Sequence, residues 1–312
     1  MSHPGPKQAP SRRDPSILLA DARRHVIVGD GAMGTQLQLA GLEPGAAGEL
    51  WNAERPDAVA AIQRRYVEAG AGIILSNTFG GSRLALERHG LGERAAELNR
   101  AGAAVARRAA GERAWVLGDV GPFGGFVAPL GEHDPEDVYS AFLEQARALL
   151  AGGADGILVE TMSAVDEMTL AIRAARDAGA WLIGASMCFD PTKAGPRTMM
   201  GTTPADAAAA MLAAGARVLG VNCGTLAFAG YVDVVRAYRA LDAHAVIMVQ
   251  PNAGLPVLDD QGRTVYRQSP DALAAGLPEL AAAGANIVGG CCGTAVPHIR
   301  ALAAVASAKV PL

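Results

Sequence analysis

The sequence predicts a single (β/α)8 TIM barrel of the α/β class, and three observations carry that expectation. Eight short, continuously apolar runs recur along the chain, at residues 25–29, 73–76, 115–118, 156–159, 181–185, 218–221, 245–249 and 286–289. Segments rich in alanine and long enough for helices follow them, among them residues 57–69, 93–110, 136–151, 164–178, 204–214 and 270–283. The joints differ by side, short before each run and often long after it. Continuous rather than alternating apolar runs suit parallel strands covered on both faces. Eight strand–helix units of this size close a barrel.

Taken in order, residues 1–15 are polar and proline-rich and read as a disordered tail. Residues 16–312 then read as one barrel domain. The short joints carry glycine where a helix C-terminus favours it, at Gly70, Gly152, Gly179, Gly215 and Gly284. The long joints cover residues 30–56, 120–135, 188–203 and 251–269. They gather at the C-terminal ends of the strands, the face on which barrel enzymes build their sites.

Composition narrows the function classes. Half of the 312 residues are hydrophobic, enough for a full core, and the formal net charge is −4. With no Lys/Arg run, that balance excludes a nucleic-acid binder, which needs a basic face. No apolar stretch approaches the roughly twenty residues of a membrane span, and the first residues lack a signal core. A cytoplasmic protein with no membrane partner is expected. Four cysteines in so long a chain do not make a disulfide framework, and a reducing compartment keeps them as thiols.

Three of those cysteines stand out. Cys291 and Cys292 are adjacent, between Gly289-Gly290 and Gly293, and Cys223 follows another apolar run. Neighbouring side chains on a strand point to opposite faces, so both sulfurs reach one ion only if the backbone bends, which glycine permits. Three thiolates bind zinc well and leave one of four tetrahedral positions open. A vicinal disulfide would be strained, whereas buried, inert thiols are common, and there is no C-x-x-C pair. Metal ligation and inert packing both remain open on spacing alone. The position of all three at the C-terminal ends of the sixth and eighth runs favours the metal.

Ordered motifs fall at the other strand ends. They are Asp30-Gly31-Ala32-Met33-Gly34-Thr35, Ser76-Asn77-Thr78-Phe79, residues 118–123, Glu160-Thr161, Gly220-Val221-Asn222-Cys223, Pro251-Asn252-Ala253-Gly254-Leu255-Pro256 and the final Gly-Gly-Cys-Cys-Gly-Thr. Together they resemble the homocysteine S-methyltransferase family from about Val26 to Ala306. The resemblance implies a Zn²⁺ ion held by Cys223, Cys291 and Cys292, with the thiol of homocysteine as fourth ligand and nucleophile in methionine formation. A free thiol has a pKa near 8.5, only the thiolate is a good nucleophile, and zinc deprotonates a coordinated thiol.

For the amino-acid end of the substrate the resemblance points to Asp30, Gly31 and Glu160. A carboxylate ending an apolar strand suits a cationic amino group; the competing readings are an ion pair of Glu160 with a loop arginine such as Arg197, and a cap or turn role for Asp30. Asn222, beside a ligand cysteine, is a candidate for the substrate site or for orienting its neighbours; an ordinary buried amide is the competing reading. Cys188 reads as packing, His133 as a solvated rim residue and His298 as structural. Phe79, Phe123 and Phe126 can form an apolar wall at the mouth or simply pack their loops.

The methyl donor is less legible. Betaine-using members place a tyrosine soon after the second-strand loop for cation–π contact, where this chain has Gly80, and an aromatic after the fourth-strand glutamate, where it has Thr161. The loops are more similar to the homocysteine module of cobalamin-dependent methionine synthase, which implies a methylcorrinoid and methyltetrahydrofolate system with cobalamin on a partner protein. Glu49-Leu50-Trp51 and Gly121-Pro122-Phe123-Gly124 are similar to stand-alone members using S-methylmethionine or S-adenosylmethionine. Asp119 departs from the small or apolar residue common in those enzymes. A zinc–thiolate component acting on another thiol is the alternative. The chain lacks the long C-terminal arm of betaine enzymes, so a monomer or small homo-oligomer is expected.

Overall fold

The computed structural model describes residues 13–261 and 264–308, so residues 1–12 of the expected tail lie outside the described residues. Eight parallel strands form the barrel: β1 (Ile27–Val28), β2 (Ile73–Leu75), β3 (Trp115–Val120), β4 (Gly156–Met162), β5 (Ile183–Met187), β6 (Val218–Asn222), β7 (Val246–Gln250) and, after a hairpin, β10 (Ile287–Val288). The hairpin, β8 (Val257–Leu258) with β9 (Thr264–Val265), stands in the loop that leaves β7. Strand order is β1-β10-β7-β6-β5-β4-β3-β2. The ends of that row, β1 and β2, meet through two bonds: Gly72 N–H donates to the Val28 carbonyl at 2.8 Å, and Leu75 N–H donates to the Asp30 carboxylate at 2.8 Å.

The period of two along each strand sorts residues between two cores. Val116, Ile157, Val159, Leu219, Val221, Ile247 and Val249 point outward under the helices, whereas Ile73, Leu117, Leu158, Val218, Val246, Met248 and Ile287 fill the barrel. The helix Pro15–Ala22, capped by the Asp14 side chain on Ser16 N–H, adds Leu18, Leu19 and Ala22 to the inner cluster. It closes the N-terminal end of the barrel, as Arg13 stacks 4.1 Å over the Trp115 ring. Continuing the same period up the strands, Leu117 is followed by Asp119, Leu158 by Glu160 and Met248 by Gln250, so the interior turns polar at its C-terminal end. All three are buried there.

One local expectation is corrected. The helix expected over residues 270–283 is two, Pro270–Ala274 and Leu277–Ala283, because Gly276 lets the Phe228 ring pack where a side chain would stand. The helix Pro135–Ala151 ends on Gly152 as its C-cap (φ −78°), as expected, with left-handed Gly153 behind it (φ 99°). Among the described residues no helix is long and apolar enough to cross a membrane.

The loop leaving β3 is pinned where Phe123 N–H donates to Glu167 at 2.8 Å. Burial pushes Glu167 from its usual 4.5 up to about 7. The folded state therefore holds a proton that the unfolded chain has released, and stability falls as pH rises from 4.5 to about 7. In Glu167→Gln that part of the slope disappears from urea melts recorded across the window, the amide oxygen still accepting from Phe123. Leu18→Ala, at a side chain 1% exposed, lowers unfolding free energy by about 2–5 kcal/mol if the first helix is part of the cooperative core; a value near zero in the same melts contradicts the closed barrel end.

Candidate metal centre and substrate cavity

The segments just beyond β6 and β10 bring three sulfurs together on either side of the end of β7. Cys223 N–H donates to the Gln250 carbonyl at 3.3 Å, and Cys291 N–H donates to the Pro251 carbonyl at 2.8 Å. Cys223 takes φ 53°, a left-handed conformation that costs a non-glycine residue energy and clusters at functional sites. Gly290 N–H donates to the Asp30 carbonyl at 2.9 Å, and the Cys291 carbonyl accepts from both the Thr294 N–H (3.1 Å) and its hydroxyl (2.7 Å). The chain thus leaves extended geometry at the double cysteine, and its two side chains turn to one side.

The Cys223 and Cys292 sulfurs lie 3.9 Å apart, those of Cys291 and Cys292 4.0 Å apart, and all three fall within 4.8 Å of one another. None is in a disulfide. Hydrogen bonding with Cys223 and Cys292, together with burial, holds the Cys291 thiol well above its usual range, while hydrogen bonds from Cys223, Cys291 and Tyr266 draw negative charge onto Cys292. Three thiols so crowded cannot all ionise without a cation among them. Three convergent soft donors fit a thiophilic ion such as zinc. Cys188 stands apart, its sulfur 3.2 Å from the Ser163 hydroxyl, as packing requires.

The cluster edges a cavity of about 550 Å³ at the C-terminal ends of the strands. Four carboxylates line it, from Asp30, Glu49, Asp119 and Glu160, and among the described residues no lysine, arginine or histidine does. Burial, then the Cys292 charge, pushes Glu160 up to about 7 against a hydrogen bond from Gln250. Burial and Glu160 hold Asp30 and Asp119 well above the carboxylate range. Glu49 accepts the Gly80 N–H at 2.6 Å. Such a cavity is electrostatically unsatisfied and favours positively charged groups.

The expected site residues fall as follows. Asp30, Gly31 and Glu160 line the cavity. Asp30 neither caps the helix Met33–Leu39, whose N-cap is Ala32, nor forms a turn; its carboxylate stitches the β1–β2 seam. A side chain at Gly31 would stand 2.9 Å from the Thr294 hydroxyl and 3.0 Å from the Tyr66 ring. Arg197 donates to the Pro196 carbonyl at 2.7 Å, and among the described residues no ion pair joins it to Glu160.

Asn222 is fully buried and does not line the cavity. Its amide accepts from Ser186 Oγ at 2.5 Å and Thr161 N–H at 3.2 Å, and donates to Thr161 Oγ1 at 2.7 Å and toward the Cys291 sulfur at 3.6 Å. It thereby fixes Thr161, at φ 58°, beside Glu160, and ties that strand end to the cysteine cluster.

Phe79 lines the cavity, Phe123 is buried with its ring edge-on to His133 at 5.0 Å, and Phe126 is exposed. His298 is structural, its Nδ1 accepting the Ala295 N–H at 3.1 Å. Sequence reasoning missed Gln250 and treated Asp119 only as a departure. The period-two count from Met248 and Leu117 was the signal that could have found both.

The cluster makes a direct forecast. Cobalt added to the metal-free protein produces thiolate-to-metal charge-transfer absorption, which Cys223→Ala and Cys291→Ala abolish or sharply reduce and Cys188→Ala leaves intact. Equal loss in all three variants would mean that the absorption reports something other than this centre.

A family model described as homocysteine S-methyltransferase matches residues 27–306. The chain is 37% identical over 309 residues to methionine synthase from Mycobacterium leprae and 38% identical over 317 residues to that from Mycobacterium tuberculosis. These matches cover 92% and 94% of the chain but 25% and 26% of the relatives, so the chain spans about a quarter of their length. The metallated form of the homocysteine methyltransferase MmuM from Escherichia coli superposes with a TM-score of 0.76 at 23% identity, over 93% of this chain and 99% of that one, which shows the shared barrel fold. With the matched family model extending from β1 into the last helix, the chain belongs to the homocysteine S-methyltransferase family.

Proposed function

We propose that this chain is a zinc-dependent homocysteine S-methyltransferase that forms methionine. The observation that carries the reading is the juxtaposition, in a member of this family, of three converging thiols with an acid-lined cavity that, among the described residues, holds no basic side chain. Cys223, Cys291 and Cys292 would hold the zinc, which when bound would supply the positive charge that keeps a substrate thiol deprotonated at neutral pH. The acids at Glu160 and Asp30 receive the ammonium group of the amino-acid thiol, and the apolar layer beneath them keeps bulk water from entering below. The homocysteine sulfur loses its proton and forms an S–CH₃ bond as the bond from methyl to donor breaks, the donor keeping the electron pair. A reducing, cytoplasmic setting suits four cysteines that are all unpaired.

For the donor we favour a methylcorrinoid, fed by methyltetrahydrofolate, with cobalamin carried by a partner protein or domain. Similarity to the two mycobacterial methionine synthases supports this. A sulfonium donor, S-methylmethionine or S-adenosylmethionine, is the second reading, favoured by the four carboxylates that line the cavity with no basic side chain beside them among the described residues.

The test is methionine formation from homocysteine by the zinc-loaded protein with methylcobalamin, S-methylmethionine, S-adenosylmethionine and betaine in parallel, Cys291→Ala serving as control. Turnover with methylcobalamin, absent from the control, is expected. Turnover with a sulfonium alone shifts the assignment to the second reading, and turnover surviving in the control contradicts the role of the cysteines.

A further inference from the structure

Asn222, the last residue of β6, is fully buried, and its side chain uses every hydrogen-bonding position it has. The oxygen accepts from Ser186 Oγ at 2.5 Å and from the Thr161 backbone N–H at 3.2 Å, and the nitrogen donates to Thr161 Oγ1 at 2.7 Å and to the Cys291 sulfur at 3.6 Å. A backbone N–H can only donate, so the atom facing it is the amide oxygen, and the nitrogen is left to face the sulfur. The amide cannot turn over without setting its oxygen against Cys291. Among the described residues it is the one side-chain N–H that reaches a sulfur of the cluster.

The orientation is held from the neighbouring strand. Ser186 lies on β5, fully buried, and pairs with Gly220 in the register of β5 and β6. A side chain at Gly220 would stand 2.6 Å from Ser186 Cβ and 2.9 Å from its Oγ, so glycine there leaves the hydroxyl its place beside Asn222. The Gly220-Val221-Asn222-Cys223 motif thus provides, in its first and third residues, space for a hydroxyl and the amide that the hydroxyl holds. Neither Ser186 nor Asn222 lines the cavity, whereas Thr161 and Cys291 do. The pair acts on the site from behind its wall.

Charge gives the N–H···S bond its use. Three thiolates outnumber the two positive charges of a zinc ion, so the loaded centre is negative, and a fourth thiolate makes it more so. Four carboxylates line the same cavity. An N–H dipole aimed at one sulfur offsets part of that charge, and in a partly buried site it counts for more than in water.

We propose that Asn222 is a positioning residue of the metal centre, its N–H bond stabilising the negative charge on the Cys291 thiolate, and that Ser186 holds the amide in the orientation this requires. The inference rests on the reading of Cys223, Cys291 and Cys292 as a metal site and adds to it two residues outside the cavity. Cys291 becomes the one thiolate of the three with an amide donor.

The test is the charge-transfer band of the cobalt-loaded protein in the wild type, Asn222→Asp, Ser186→Ala and, as a neighbouring control, Ser163→Ala, whose hydroxyl bonds Cys188 rather than the cluster. A hydrogen bond lowers the energy of a sulfur lone pair, so its loss moves the band to longer wavelength. Asn222→Asp keeps the oxygen and removes the amide N–H: the band moves to longer wavelength, and competition with a chelator shows cobalt held about tenfold more weakly. Ser186→Ala, which adds no charge, moves the band the same way by less, and Ser163→Ala leaves it in place. Cobalt stoichiometry and thermal melts certify folding, and Asn222→Ser replaces Asn222→Asp if that variant does not fold. A band unmoved in the Asn222 variant, or moved equally in Ser163→Ala, overturns the inference while the metal site stands. A band moved in the Asn222 variant but not in Ser186→Ala overturns the part given to Ser186. Absence of a thiolate band in the wild type overturns the metal reading and this inference with it.

Discussion

Like charges repel most where solvent is excluded, and this barrel holds three thiols within 4.8 Å of one another at the edge of a cavity walled by four carboxylates. The arrangement is imposed by the backbone. Strand β7 runs between β6 and β10, and the carbonyls of its last residue, Gln250, and of Pro251 just beyond it receive the N–H groups of Cys223 and Cys291, so the two cysteine-bearing segments are fixed to one rail. Left-handed geometry at Cys223 and the turn from Cys291 to Thr294 through Gly293 (φ 77°) accompany three side chains that converge on one point. Local strain and charge crowding of this kind persist only where the surrounding fold over-determines them, and here the eight-stranded barrel provides that support.

The same crowding explains the rest of the cavity. Asp30, Asp119 and Glu160 lie above their ordinary range because burial and neighbouring negative charge oppose ionisation, with no lysine, arginine or histidine among the described lining residues to relieve them. Positive charge must come from what binds: an ion at the sulfurs and an ammonium group at the acids. Asn222 mechanically couples the two regions, bonding Thr161 beside Glu160 on one side and approaching the Cys291 sulfur on the other. A buried amide, rather than a substrate contact, is what that position needs.

Much of this was legible in the sequence because parallel strands buried on both faces leave a strong apolar signature. All eight runs became strands, with ends moved by up to three residues, and the cysteines landed on the face where long loops gather. Less legible features depend on contacts between distant segments. The helix Pro15–Ala22 is too short to announce itself, yet Leu18 and Leu19 complete the inner core. Asp30 bonds Leu75 N–H across the barrel seam, which spacing along the chain cannot show. Asp119 and Gln250 looked like polar ends of apolar runs, and only the inward register of β3 and β7 reveals that they face the cavity. The break at Gly276 depends on the Phe228 ring, nearly fifty residues away.

X-ray absorption at the zinc edge tests the central claim most directly. One zinc per chain, with three sulfur neighbours supplied by Cys223, Cys291 and Cys292 and a fourth gained on adding L-homocysteine, is the result the account predicts. Fewer than three sulfurs in the resting protein, or a shell unchanged by homocysteine, would contradict it.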